Sequence, residues 1–248
     1  MRILLKISYL GTNYSGWQRQ PNAVTVEGTI LKALSHLSPH PLTLFCAGRT
    51  DKGVHALCQY AHFDTTLTRP WIRVNDFLPP CIRVLDCIEV PSTFHSRYDA
   101  THRQYTYFIR VNSLIHNPMD YDRVFHLKKD LNLQRIIAAS KHILGTHDFA
   151  YWQSSGCCFT TTERTLTKFE VKRKENLITF KIKANSFLYN MVRNLLGSMC
   201  QIGLSIYQPE DMAKMRDGEG SYRRMRLPPH GLYLDSIDYD VFSPLKAL

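Results

Sequence analysis

The sequence predicts an α+β protein of two related mixed units whose antiparallel sheets join into one extended sheet, with a cleft between the units. Three observations lead there. Strand and helix patterns alternate in a similar order in both halves, as expected of sheet-and-helix layers. The 248 residues, 44% hydrophobic, suffice for one large core or two smaller ones. No stretch near residue 100 is rich in glycine, proline or serine, so residues 1–100 and 101–248 are expected to share an extensive interface rather than a tether.

Residues 2–9 read as a first strand, followed by the glycine-flanked loop Gly11–Gly16 and by Trp17-Gln18-Arg19-Gln20. Thr25 suits an N-cap, and Val26, Ile30, Leu34 and Leu37 recur at helical spacing up to Ser38-Pro39. The apolar run 42–47 enters a loop at 48–56, and an alternating strand leaves it. Trp71, Val74 and Leu78 mark a short helix before Pro79-Pro80, and strand character resumes at 82–90.

The second half opens on a strand with Tyr105, Tyr107, Ile109 and Val111 on one face. Leu133 to Leu144 predict a helix stopped by Gly145. Residues 164–173 and 177–184 form a hairpin about Lys174-Glu175-Asn176, and a long helix is expected over 186–202. A short helix follows from Pro209, and 231–239 read as the last strand.

Lys plus Arg outnumber Asp plus Glu by 31 to 21, giving a formal charge of +10, which favours a polyanionic partner. Cations on the hairpin (Lys168, Lys172, Arg173, Lys174, Lys181, Lys183), the run Arg223, Arg224, Arg226 and thirteen tyrosines favour RNA bound by phosphate contacts and stacking. Seven scattered cysteines without a Cys-x-x-Cys pair fit a reducing compartment; Cys157-Cys158 with His147 lacks zinc-site spacing, and no metal is expected. The first residues suit a strand rather than a secretory signal, and no apolar run is long enough for a membrane span. A cytoplasmic protein is expected.

Asp51 stands out in the loop Gly48-Arg49-Thr50-Asp51-Lys52-Gly53-Val54-His55-Ala56. Taken alone, Thr-Asp-Lys-Gly is an ordinary turn, although the flanking cations favour an ionised carboxylate. With no second carboxylate in the loop, the pattern suits a single anionic nucleophile or base rather than paired acid–base work. Arg193 falls in an otherwise apolar helix, where its head either reaches water or needs a carboxylate; Asp51 is the functional candidate. Tyr105 and Tyr107 are core residues or stacking aromatics.

Read together, these motifs resemble the TruA pseudouridine synthases along nearly the whole chain. The blocks, in order, are Tyr9–Gln20, Gly48–Ala56, Phe94–Ala100 with Arg103–Tyr107, Gly145–Phe149, Thr162–Thr165, Phe187–Arg193 and Pro229–Leu234. The resemblance implies the pseudouridine synthase fold and isomerisation of uridine at positions 38 to 40 of the tRNA anticodon arm, without a cofactor and by a homodimer. It further implies that Asp51 is catalytic, that Arg193 is its ionic partner, that Tyr105 stacks on the uracil and that Arg49 helps extrude the nucleotide. His55, Arg103 and Tyr107 complete the expected RNA-contacting set. In Asn75–Val84 the family usually has an aspartate where Cys81 stands, a change expected to be structural. The rival readings are a non-catalytic RNA-binding protein or chaperone of the same fold, and a base-excising glycosidase.

Overall fold

The computed structural model describes residues 1–112, 117–156 and 161–240. Its elements in chain order are β1 (Arg2–Tyr9), α1 (Val26–Leu34), β2 (Phe45–Cys46), β3 (His55–Asp64), β4 (Ile82–Val90), β5 (Ala100–Val111), β6 (Phe125–Leu127), α2 (Leu133–Ser140), β7 (Gly145–Asp148), β8 (Glu163–Lys174), β9 (Leu177–Ala184), α3 (Met191–Gly203), α4 (Asp211–Arg216) and β10 (Leu232–Tyr239). Short 3-10 turns occupy Trp71–Asp76, Pro118–Asp120, Ala150–Trp152 and Pro229–Gly231. Cys157 and Cys158 lie outside the described residues. Among the described residues, no helix is long and apolar enough to cross a membrane.

The chain divides into two compact units, Met1–Arg103 with the chain from Tyr233 on, and Gln104–Leu232. The sequence reading kept residues 101–248 together; in the structure the last strand belongs to the first unit. Pairing explains this, because β10 lies parallel to β3, with Tyr233 opposite His55 and Leu234 opposite Ala56.

In the first unit β1 is flanked on both sides by antiparallel partners, β3 and β4. Leu4, Leu5 and Ile7 are accordingly buried. Helix α1 starts where the Thr25 side chain accepts the backbone N–H of Gly28 at 3.3 Å, and it buries Val26, Ile30, Ala33 and Leu34. It ends at Leu34, short of the predicted Leu37.

In the second unit β8 pairs antiparallel with β7 and β9, and β6 pairs parallel with β5. Together with the parallel β10–β3 pair this makes the sheets mixed rather than antiparallel as expected. Glu175 takes a left-handed φ of 54° in the β8–β9 turn, which the hairpin needs to reverse within two residues. Helix α3 buries nearly every residue and packs on α2; a Cβ at Gly203 would come within 2.8 Å of Ile136.

Two helices end or begin differently from the periodic pattern. Past Ser140 the chain tightens, with Lys141, His142 and Ile143 each donating to the carbonyl three residues back, and Gly145 (φ +99°) opens strand β7, which has no apolar alternation to mark it. Helix α3 begins at Met191 rather than 186, because Asn190 sits in the left-handed region (φ 59°). Phe187, Leu188 and Tyr189 thus belong to a loop that leads into the helix.

Burial inside the first unit carries a pH dependence. His62 on β3 is buried, and its Nδ1 accepts the Ser96 N–H at 3.2 Å and lies 2.8 Å from Ser96 Oγ. Burial above all, then the charges of Arg2 and His95, push its pKa down to about 4, against partial opposition from Asp64 and Asp99. Between an unfolded value of 6.5 and about 4, the unfolded chain binds a proton that the folded chain refuses. Stability contributed by neutral His62 is therefore whole above that window and is lost as pH falls through it. Melting curves between pH 7 and pH 4 should show a shallower decline for His62→Asn than for the wild type, by on the order of 2 kcal/mol over the window. Parallel declines would refute the assignment.

Candidate active site

The loop 48–56 is held by the loop that follows β1. Trp17 donates its N–H to the Thr50 carbonyl at 3.0 Å, Gly53 donates to the Tyr14 carbonyl at 3.3 Å, and the Tyr9 hydroxyl lies 2.7 Å from Thr50 Oγ1. Such approach of backbone to backbone leaves no room for side chains. A Cβ at Gly11 would stand 1.9 Å from the Val54 carbonyl oxygen, and one at Gly16 (φ +86°) 2.7 Å from that of Thr50. Both glycines are therefore required where they are.

Within the loop, Thr50 is buried, Asp51 is half-buried, and Arg49 and Lys52 are exposed. The Val54 N–H donates to the Asp51 carbonyl at 3.1 Å, and Gly53 turns the chain with φ +79°. Gly48, by contrast, has an ordinary φ and open space around its Cβ direction. Asp51 thus presents a carboxylate between two exposed cations, on a backbone fastened on both sides.

The exit and entrance of the loop are braced from beneath. His55 is fully buried; its Nδ1 accepts the Gly11 N–H at 3.0 Å, and its ring packs on Tyr233 with centroids 4.6 Å apart. Gln59 closes a ring with Gly48, its amide donating to the Gly48 carbonyl while its Oε1 accepts the Gly48 N–H. Arg103 donates to the carbonyls of Ala47, Arg97 and Ala100 at 3.1, 2.6 and 2.8 Å. His55 and Arg103 were expected to touch RNA. His55 is fully buried and the Arg103 guanidinium engages three backbone carbonyls, so in this structure both support the loop.

In the second unit, Tyr105 is half-exposed on β5 and meets Phe187 edge-on, centroids 5.2 Å apart. Tyr107 is fully buried and donates its hydroxyl to the Pro228 carbonyl at 2.7 Å, with burial holding its phenol well above the ordinary range. Tyr107, expected to touch RNA, is a core residue in this structure. Arg193 donates Nε–H to the neighbouring Leu227 carbonyl at 2.7 Å and an Nη1–H to Asn190 Oδ1 at 2.9 Å. The segment that supplies these carbonyls lies against α3 where a Cβ at Gly197 would be 1.6 Å from the Met225 carbonyl oxygen, and Gln201 donates to the Arg223 carbonyl.

The structure therefore gathers Arg49, Asp51, His55 and Arg103 about one loop, and Tyr107 and Arg193 about one strap. Sequence reasoning missed the residues that do the fastening: Tyr9, Gly11, Gly16 and Thr50 in the first unit, Gly197 and Gly231 in the second. The glycines of the opening segment were the available signal.

The fold is mixed α/β, and its loop 48–56 holds Asp51 on a fastened backbone with Arg49 and Lys52 exposed on either side in sequence. Residues 139–240 match the family model described as tRNA pseudouridine synthase. A tRNA pseudouridine synthase A of Janthinobacterium sp. (strain Marseille) is 38% identical over 96% of this chain and 92% of its own. The tRNA pseudouridine synthase A 2 of Clostridium tetani is 37% identical over 96% and 98%, and the enzyme of Nitrosomonas europaea 36% over 97% and 90%. Among solved structures, an H/ACA ribonucleoprotein bound to a substrate RNA containing 2′-deoxyuridine is 11% identical, with a TM-score of 0.38 over 80% of this chain and 44% of that one, a likeness too remote to carry an argument. The chain belongs to the tRNA pseudouridine synthase A family, whose members are isomerases.

The glycine contacts give a direct test of the clamp. Gly16→Ala combines a strained φ with a Cβ pressed onto backbone, and should cost more than about 1 kcal/mol of stability in chemical denaturation. Gly48→Ala meets open space and should leave the denaturation midpoint unchanged. Equal midpoints for the two variants would show that the close approach is not constraining.

Proposed function

We propose that this enzyme isomerises uridine to pseudouridine at positions 38, 39 and 40 of the tRNA anticodon arm, with Asp51 as the catalytic carboxylate. The single observation that carries the reading is the loop 48–56, whose aspartate stands half-exposed on an immobilised backbone in a chain that belongs to this family along its length. Positions on the tRNA rest on the resemblance of the motif blocks.

The reaction breaks the N1–C1′ bond, turns the base and joins C5 to C1′; a proton leaves C5 and one is taken up at N1, so atoms and electrons balance within the nucleotide. Asp51 serves as a nucleophile at C1′ or C6, or as the base that removes the C2′ proton. Arg193 is its ionic partner, keeping the carboxylate charged and oriented. Its anchoring to Leu227 and Asn190 supports that role, since a guanidinium already fixed by two bonds loses little freedom on pairing. Tyr105 stacks on the uracil, and exposed Arg49 contacts the phosphate backbone while the nucleotide is flipped out, a step costing about a few kcal/mol. The enzyme acts as a homodimer without a cofactor, and sedimentation of the wild type should give twice the chain mass.

Tritium release from uracil-labelled tRNA tests the assignment. Asp51→Ala and Asp51→Asn are each expected to release none while retaining tRNA binding. Arg193→Ala should lower kcat sharply, and adding it to Asp51→Asn should bring no further loss, because the two act as a unit. An active Asp51→Ala enzyme would remove the carboxylate from the mechanism. Release of free uracil by the wild type would mark a base-excising glycosidase, and a wild type that binds tRNA but releases no tritium would mark a pure RNA-binding protein.

A further inference from the structure

The turn at His95–Asp99, in the same unit as Asp51, carries a rigid strip of exposed aromatic surface that the reaction just described does not use. Tyr98 is 75% exposed, although a large aromatic ring is ordinarily at least half covered. Its ring lies on that of His95, centroids 4.3 Å apart and 32° between planes, and the Arg97 guanidinium is 5.9 Å from its centroid. His95 in turn meets Phe45 at 5.7 Å, and Phe45, 44% exposed, stacks on His62 at 5.2 Å. Phe45, His95 and Tyr98 thus form a continuous aromatic strip edged by a cation.

The strip is pre-organised. Asp99 Oδ2 accepts the His95 N–H at 2.8 Å, the His95 carbonyl accepts the Asp99 N–H at 3.1 Å, and His95 Nδ1 accepts the backbone N–H groups of Arg97 and Tyr98 at 3.1 and 3.3 Å. An acceptor at Nδ1 requires that nitrogen to be unprotonated, and burial with the nearby Arg2 and Arg97 lowers the His95 pKa, so the ring is neutral at pH 7. Arg103 bonds the Arg97 carbonyl and also that of Ala47, one residue before the loop 48–56. The strip is therefore tied to the backbone that enters the Asp51 loop.

We propose that Phe45, His95 and Tyr98, with Arg97, form a second nucleotide-stacking site that takes an unstacked base of the RNA substrate other than the target uridine, with the adjoining phosphate on Arg97. The proposal rests on the reading of the substrate as RNA. Stacking suits any base, because every base has a π-face, and a guanidinium beside the ring matches the charge that follows each base along the strand. The net charge of +10 favours the same partner. A rigid aromatic anchor loses little entropy on binding.

Binding of fluorescently labelled tRNA transcript to the full-length protein, followed by anisotropy, tests the site independently of isomerisation. Tyr98→Ala should weaken binding roughly tenfold or more, the scale of one base–aromatic stack. Tyr98→Phe should bind as the wild type does. Arg97→Gln should weaken binding and reduce the slope of log affinity against log salt by about one. In the isomerisation assay Tyr98→Ala should raise KM with kcat kept, whereas loss of the Asp51 chemistry lowers kcat. Tyr121→Ala, at an equally exposed tyrosine of the second unit, serves as the comparison and should change neither. Unchanged affinity in a folded Tyr98→Ala protein overturns the proposal, as does an equal loss in Tyr121→Ala. A Tyr98→Ala protein whose sedimentation mass falls with affinity intact would make the strip an interface between copies and overturn it too. Should Tyr98→Ala not fold, Tyr98→Gln gives the same reading. Failure of the wild type to make pseudouridine would sink the proposed reaction yet leave the binding comparison to stand or fall by itself.

Discussion

The placement of Asp51 depends on one constraint, the approach of the Gly11–Trp17 backbone to the backbone of residues 50–55. A loop bounded by two strands ordinarily moves more than the strands themselves. Here the Thr50 carbonyl, the Gly53 N–H and the His55 imidazole are all engaged by the neighbouring loop, and the Thr50 hydroxyl by Tyr9. Peptide groups that pair with one another need no side-chain shell between them, but they tolerate no Cβ there either. The half-buried Asp51 side chain is thereby carried on a fixed backbone frame.

The second unit solves a similar problem by similar means. Arg193 lies on a helix buried almost all round, a costly setting for a cation. The strap ending at Leu227-Pro228 supplies carbonyls to both Arg193 and Tyr107, and it reaches them because Gly197 removes the side chain that would hold it off. Gly231 does the same beneath Tyr107, where a Cβ would lie 2.7 Å from the ring. In both units a glycine remote in sequence sets where a polar side chain can point.

Local pattern was legible in proportion to how local its causes were. Strand β1, the Thr25 cap of α1 and the β8–β9 hairpin follow from alternation, capping and turn chemistry, all contained within a few residues. The start of α3 was misplaced by five residues because apolar spacing at Phe187 and Leu188 continues the helical period, while the left-handed Asn190 that interrupts it leaves no periodic mark. Strand β7 was missed since Gly145–Asp148 is mostly polar and owes its form to pairing with β8. The return of β10 to the first unit is a long-range parallel pairing, invisible to any window. At the candidate site, residue type and motif single out Asp51 and Arg193. Tyr107 and His55 carried the same chemical signature as surface contacts, and only tertiary burial separates the two roles.

Cys81 shows how little of this frame depends on the side chain at that position. The backbone carbonyl of Cys81 accepts the Leu10 N–H at 2.9 Å, a bond that any residue at this position supplies. Its side chain contributes one contact, Sγ to the Tyr14 hydroxyl at 3.3 Å. Burial, and then that contact, push the Tyr14 phenol up to about 12, so the hydroxyl stays protonated and can donate to sulfur as it would to a carboxylate, only more weakly. Tyr14 in turn accepts the Gly53 N–H through its backbone carbonyl, not through its ring. The link from residue 81 to the loop of Asp51 therefore runs largely through main-chain atoms, and a change of side chain at position 81 alters one side-chain bond while leaving the backbone contacts that hold the loop in place.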